Sequence, residues 1–264
     1  DARMAVYAAQ IDRMDQGIGR IMAALQAQNV FDNTLIMFLS DNGGCAEFLN
    51  EDGKGFGTAW DHTKEGGTVR IGNSPDNLPG PATTFMSYDL PWANASNAPF
   101  RLYKHWTHEG GIATPFIAHW PTGIPATEVP LVCREPAHLV DIMATCLDVA
   151  GVRCPEEYEG RRILPPEGES FAPALRGEHW QRAEEICWEH EGNRAVRQGR
   201  WKLVSRHPGK WELYDMDVDR TELYDLADTY PDKARELADI YEVWAARCGV
   251  VDWEALQRRR QNRR

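Results

Sequence analysis

The sequence predicts a layered α/β fold that passes into a small antiparallel sheet and a closing helix. Three observations carry that expectation. A helical apolar pattern over residues 2–28 leads through a short loop to an unbroken apolar run at 34–39. A second run, at 115–120, precedes another helical pattern over 137–150. From Glu184 onward the apolar runs become short and are spaced by turn residues. Helix, loop and buried strand is the rhythm of a sheet covered by helices, whereas short runs between turns are that of an antiparallel meander.

In residues 2–28, Tyr7, Ile11, Met14, Ile18, Ile21 and Leu25 recur at alternating steps of four and three, which sets them on one helix face. Gly17 and Gly19 weaken that helix by roughly 1 kcal/mol each relative to alanine and suit close approach of another element. Residues 29–33 make a turn, and 34–39 is apolar without alternation, as in a strand covered on both faces. Residues 45–103 carry no strong periodicity and include Leu78-Pro79-Gly80-Pro81, a composition that suits a lid or pocket wall. The aromatics Trp60, Phe85, Tyr88, Trp92 and Phe100 could line a pocket, but anchoring the segment to the core is the simpler reading. Pro121 and Gly123 close the strand at 115–120. In 137–150, Leu139, Ile142, Met143, Cys146 and Val149 share one side, and Gly151 fits the position after a helix end. The Pro- and Gly-rich stretch 152–177 reads as a crossing to a second unit. Strands are expected at 186–189, 194–197, 201–204 and 212–214. Pro231 then opens a helix with Ala234, Leu237, Ala238, Tyr241 and Trp244 on one face. The chain therefore divides into 1–177, with the wall 45–103, and a C-terminal unit 178–264. Glu212-Leu213-Tyr214-Asp215 recurs as Glu222-Leu223-Tyr224-Asp225, two copies being too few for a repeat array.

With 264 residues, 42% hydrophobic and 26% charged, the chain is long and apolar enough to pack a core. A net charge of -11 argues against sequence-independent nucleic-acid binding, which needs clustered cations. The basic end, Arg258-Arg259-Arg260-Gln261-Asn262-Arg263-Arg264, reads as solvated. No apolar run approaches the roughly 20 residues of a membrane span. No signal peptide is recognisable, and the first residue is Asp1, which suits a mature product or a fragment and leaves the compartment open. Cys45, Cys133, Cys146, Cys154, Cys187 and Cys248 form no C-x-x-C pair, so a zinc site is not indicated by that pattern. Their even number permits disulfides, but buried free thiols are the simpler reading in a chain of this length.

Two segments carry chemistry. Residues 34–39 end in Ser40-Asp41-Asn42-Gly43-Gly44. Asp41 and Asn42 offer a carboxylate and an amide oxygen, the ligands that calcium and magnesium take, and they are also good turn residues. The second segment is Lys104-His105-Trp106-Thr107-His108-Glu109-Gly110-Gly111. A lysine ammonium suits sulfate or phosphate oxygens, glycines let backbone approach closely, and His105 and His108 suit either anion contact or ordinary hydrogen bonding.

In this order and spacing, the two segments resemble the sulfatase family of the alkaline-phosphatase superfamily. The family carries a strand ending in Asp-Asn-Gly and, later, a lysine five residues before a Glu-Gly-Gly block, as Lys104 stands before Glu109. Lys64-Glu65-Gly66-Gly67 lacks that spacing. Residues 138–151 and 212–226 also resemble family segments, and residues 92–111 are most similar to bacterial arylsulfatases. The resemblance implies part of a sulfatase layered sheet with flanking helices, followed by the small C-terminal sheet and helix. It implies a calcium ion held in part by Asp41 and Asn42, and Lys104 as the catalytic and substrate-binding cation on the sulfate. The implied substrate is a small-molecule or glycan sulfate ester, and the implied location is periplasmic or extracellular. Oligomeric state is not implied. Ala113 stands where the family commonly has arginine, and Asp225 where it often has asparagine.

One family feature is missing. No Cys or Ser here heads the C/S-x-P-x-R motif that yields the formylglycine nucleophile, and no Asp-Asp dipeptide supplies the other metal ligands. The expectation is therefore the C-terminal portion of a sulfatase, inactive without the nucleophile that attacks sulfur and expels the alcohol. Two other readings share these residues: a phosphoester or phosphonate hydrolase of the same superfamily, and a non-catalytic metal- or anion-binding fragment. His190, in Trp188-Glu189-His190-Glu191, suits either subdomain packing or contact with the site.

Overall fold

The computed structural model describes residues 1–54, 61–127 and 132–262. Helix α1 (Ala2–Ala27) leads through a 3-10 turn to strand β1 (Ile36–Leu39). Residues 45–103 hold the short strands β2 (Arg70–Ile71) and β3 (Thr84–Phe85) and helix α2 (Asp89–Asn97). Then come α3 (Glu109–Ile112), β4 (Phe116–His119) and α4 (Asp141–Val149). The crossing carries a small hairpin, β5 (Glu157–Tyr158) and β6 (Arg161–Arg162), and α5 (Ala172–Leu175). A four-stranded antiparallel meander follows: β7 (Ile186–His190), β8 (Asn193–Gln198), β9 (Trp201–Ser205) and β10 (Glu212–Asp215). Helices α6 (Pro231–Cys248) and α7 (Trp253–Gln261) complete the chain. The architecture is the expected α/β one with its C-terminal sheet and helix.

The apolar run at β1 was expected to be covered on both faces. Instead, among the described residues, β1 pairs antiparallel with β4 alone, and the pair is covered on one side. Leu35, Met37 and Ala118 pack on Phe171, Leu175 and Trp180. On the opposite face, Phe38 and its cross-strand partner Ile117 remain 39% and 59% exposed. Alternation was hidden because both faces of the strand are apolar. Helix α1 shows the same property: its stripe exists, yet it buries no residue, and Ile11, Met14 and Ile21 are 44%, 45% and 63% exposed. Its first turns do pack, with Tyr7 stacked on Tyr88 at 5.0 Å and Arg3 donating to the Ser87 carbonyl at 3.0 Å. Gly19 has open space around its α-carbon, so close approach is not its role here.

The C-terminal sheet has two faces of different character, set by strand alternation. Val196, Leu203 and Leu213 face α6 and pack with Leu237, Tyr241 and Ala245. Full burial of a leucine contributes roughly 1.5–3 kcal/mol, so this layer is the main core. Gly249 ends α6 at φ +70°, a conformation glycine adopts without strain. The other face carries Lys202, Glu212 and Tyr214 toward residues 101–109. The two Glu-Leu-Tyr-Asp copies are unlike in structure. Leu213 and Tyr214 are buried, whereas Leu223 and Tyr224 lie at the surface. All six cysteines are free thiols, but they are not buried as expected: Cys133 and Cys248 are exposed and the other four are half-buried. The tail is helical with surface arginines up to Arg260, while Arg263 and Arg264 lie outside the described residues.

Candidate active site

The two chemical segments meet in space. The Lys104 N–H donates to the Gly44 carbonyl at 3.0 Å, and the Gly43 N–H donates to the Gly111 carbonyl at 3.0 Å. Asn97, at the end of α2, accepts the Gly44 N–H through Oδ1 at 2.9 Å. Thr114 Oγ1 donates to the Ser40 carbonyl at 3.0 Å. Asp41 and Asn42 thus sit on a turn whose two sides are tied to the segment bearing Lys104.

Glycine is required where these backbones cross. A Cβ on Gly43 would lie 1.8 Å from the Gly110 carbonyl oxygen, and one on Gly110 would lie 2.1 Å from that of Leu102. Backbone atoms cannot swing aside as a side chain can. Gly43→Ala is expected to cost about 3 kcal/mol or more, beyond ordinary overpacking. Gly19→Ala, in open space within α1, is expected to add up to about 1 kcal/mol. Urea unfolding of both variants checks this, and equal midpoints for the two would refute the close-approach assignment.

The Lys104 ammonium lies 3.2 Å from Glu47 Oε1. Burial works against its charge, but the hydrogen bond to Glu47 and the fields of Glu47 and Asp41 outweigh burial and hold it above its ordinary pKa. Leu102 and His105, on either side of Lys104, have φ of +66° and +96°. Non-glycine residues in that region are strained, and such strain gathers at functional sites. Beside the lysine, Cys45 and Glu47 line a cleft of about 270 Å³ between α1 and residues 79–88. Phe85 and Tyr88 line it, the less favoured of the two readings of these aromatics. Phe100 does not: its ring carries the Arg220 guanidinium at 4.8 Å. Trp60 lies outside the described residues.

Neither the Asp41 carboxylate nor the Asn42 amide takes a hydrogen-bond partner among the described residues. A carboxylate and an amide oxygen, both free and adjacent, fit part of the oxygen shell of a hard divalent cation. Lys64, in the segment with the wrong spacing, lies in a self-contained turn closed by the Thr63 N–H to the Gly67 carbonyl at 2.7 Å.

His108 and Glu109 point away from this corner. His108 is fully buried against the C-terminal sheet, 3.8 Å from Glu212 Oε2. Burial, with the charges of Lys202 and Arg101, pushes its imidazole down to about 3. Glu109 lies 2.9 Å from the buried Lys202, which is also 2.8 Å from Glu222. His105 stays at the corner, where its ring is 5.2 Å from that of His190 at the tip of β7. Burial holds the His105 imidazole below its ordinary pKa, with Glu191 opposing. Sequence reading left both histidines undecided, because 85 residues separate them and only the β7–β8 turn brings them together.

Residues 1–152 match the sequence profile described as Sulfatase, and residues 100–241 match that described as N-sulphoglucosamine sulphohydrolase, C-terminal. An uncharacterized sulfatase of Schizosaccharomyces pombe is 32% identical over 256 residues, covering 94% of this chain and 44% of that protein. An arylsulfatase of Klebsiella aerogenes is 32% identical over 186 residues, covering 69% of this chain and 37% of that protein. The crystal structure of Ps i-CgsB in complex with k-i-k-neocarrahexaose matches with a TM-score of 0.63 at 23% identity, covering 90% of this chain and 42% of that one. At that identity the likeness concerns the fold. The chain spans less than half the length of each of these relatives.

Proposed function

The chain belongs to the sulfatase family, and from that premise we propose that it forms the cation- and sulfate-binding corner of a hydrolase of sulfate monoesters. The observation that supports this reading is the pair of backbone hydrogen bonds, Lys104 to Gly44 and Gly43 to Gly111, which tie the lysine-bearing segment to the turn of Asp41 and Asn42. Asp41 and Asn42 would hold part of a calcium shell. Calcium bound there supplies a positive field that draws charge from the sulfate oxygens. Lys104 would exchange Glu47 for a sulfate oxygen and stabilise charge near the leaving alcohol oxygen. The cleft beside Glu47 would take the organic part of the ester, small-molecule or glycan. Residues 1–177 would belong to the catalytic domain and 178–264 to a subdomain that braces residues 101–109. The nucleophile, a formylglycine by family resemblance, would lie outside this chain, since no C/S-x-P-x-R motif occurs in it. Periplasmic or extracellular location is proposed on the resemblance alone.

In the full-length gene product, Lys104→Ala is expected to lower kcat/KM for an aryl sulfate by about 10²–10³. Lys104→Arg is expected to recover part of the loss, and aryl sulfate to be preferred over aryl phosphate. Calcium titration is expected to show weaker binding in Asp41→Ala. Turnover of Lys104→Ala within about twofold of wild type would remove the lysine from the site. Unchanged calcium affinity in Asp41→Ala would remove the ligand assignment.

A further inference from the structure

We propose that His105, His190 and Glu191 form a second metal site, for a divalent transition-metal ion of the zinc class. The inference stands independently of the sulfate-ester reading. One ligand atom from each of the three side chains lies within 4.8 Å of the other two. His105 Nδ1 and Glu191 Oε2 are 3.4 Å apart. A tetrahedral zinc with bonds of about 2.0–2.1 Å sets its ligand atoms roughly 3.3 Å apart, so one pair already has the required spacing. His190 lies at the surface, where its side chain has room to turn.

The backbone fixes the two sides of this cluster. His190 pairs with Asn193 at the end of the β7–β8 hairpin, and the two-residue turn between them, Glu191-Gly192, has φ of +52° and +84°. Positive φ at both turn residues suits a tight hairpin, but glutamate adopts it at a cost that glycine or asparagine would avoid. Glu189 Oε1 accepts the Gly192 N–H at 2.8 Å. The Asn193 amide donates to the His190 carbonyl at 2.8 Å, and its Oδ1 accepts the His207 N–H at 3.0 Å. On the other side, His105 is held at φ +96° in the segment tied to Gly44. Two strained residues from distant parts of the chain thus present ligand side chains to one point.

The donor set decides the class of ion. Two imidazoles and one carboxylate suit zinc and its neighbours, whereas calcium takes oxygen ligands such as those of Asp41 and Asn42. Three protein ligands leave a position for water or a substrate group. His105 and Glu191 are 40% and 39% exposed, so an ion there is reachable from solvent. An ion at this point would also join the C-terminal hairpin to the lysine-bearing segment.

Zinc chloride titrated into the chain by calorimetry, in chelator-free buffer with a thiol-free reductant, is expected to show one ion bound at micromolar or tighter affinity. Cobalt is expected to give the intense visible bands of a four- or five-coordinate ion. His190→Ala and Glu191→Gln are each expected to weaken zinc on the order of 100-fold. Asp41→Ala and Cys45→Ser are expected to leave it unchanged. Zinc should raise the urea midpoint of the wild type but not of either ligand variant, a readout that also reveals any variant that is misfolded without metal. Zinc binding that is absent, or that persists undiminished in Glu191→Gln and His190→Ala, would overturn the proposal.

Discussion

Lys202→Met is expected to destabilise the protein by about 3–5 kcal/mol, the usual cost of removing one partner from a buried ion pair. Lys202 has no exposed surface, and its ammonium bridges Glu109 at 2.9 Å and Glu222 at 2.8 Å. Arg220 adds a second cation, 3.1 Å from Glu109. The four charges balance. Burial pushes the carboxyl groups upward. For Glu109 the two cations outweigh burial and hold its pKa low, whereas for Glu222 burial wins and its pKa is raised. Methionine keeps most of the volume of lysine, so the loss in Lys202→Met reports charge rather than a cavity. Glu222 then keeps the Glu109 N–H at 2.8 Å but loses its cation. Adding Glu222→Gln should therefore recover part of the loss, because a neutral amide is cheaper to bury than an unpaired carboxylate. Urea denaturation of the single and double variants decides the matter. A Lys202→Met midpoint close to that of wild type, or a double variant less stable than the single, would refute the assignment. The network matters for function because Glu109 begins the helix that follows Lys104 and His105, so its clamp fixes where those side chains stand.

That clamp was not legible in the sequence. In Trp201-Lys202-Leu203-Val204 nothing marks the lysine as buried, since lysine is almost never fully buried unless paired. It is buried because residues 101–109 cover the face of the sheet opposite α6. The Glu-Gly-Gly block was legible as a motif, but its physical reasons were not. Glu109 serves the ion network, and Gly110 serves backbone contact with Leu102. The corner itself was readable, since an acid, an amide and two glycines after an apolar run carry their own turn chemistry. Helix α2 was missed within 45–103 because it buries only Ala93 and so shows no apolar period, and its first residue, Asp89, has φ +76°. The converse holds for α1, where a clear period implies a covered face, yet only the first turns pack and Ile11, Met14 and Ile21 stay exposed. Periodicity reports what a helix can bury, and contact reports what it does bury.

Acid is expected to destabilise the fold well above the range where carboxylates titrate, through His108. Its ring is enclosed, neither nitrogen has a hydrogen-bond partner among the described residues, and Lys202 and Arg101 repel an added proton more than Glu212 attracts one. The folded imidazole therefore titrates at about 3, against 6.5 for the free group. Between those values the unfolded chain binds a proton that the folded chain refuses. Stability is then fully present above pH ~6.5 and falls with decreasing pH by up to about 1.4 kcal/mol per unit. His105 and His138, both lowered chiefly by burial, add to the slope in the same direction. Glu109, whose pKa is also lowered, contributes from the ordinary carboxylate range downward, whereas Glu222, whose pKa is raised, opposes the histidines, so the difference between wild type and His108→Gln is what isolates His108. Urea midpoints from pH 6.5 to about 5 should fall steeply for wild type and more gently for His108→Gln, which cannot titrate. Parallel slopes for the two proteins would mean that His108 is protonated in the fold, and would place a charge beside Lys202 that the four-charge balance does not accommodate.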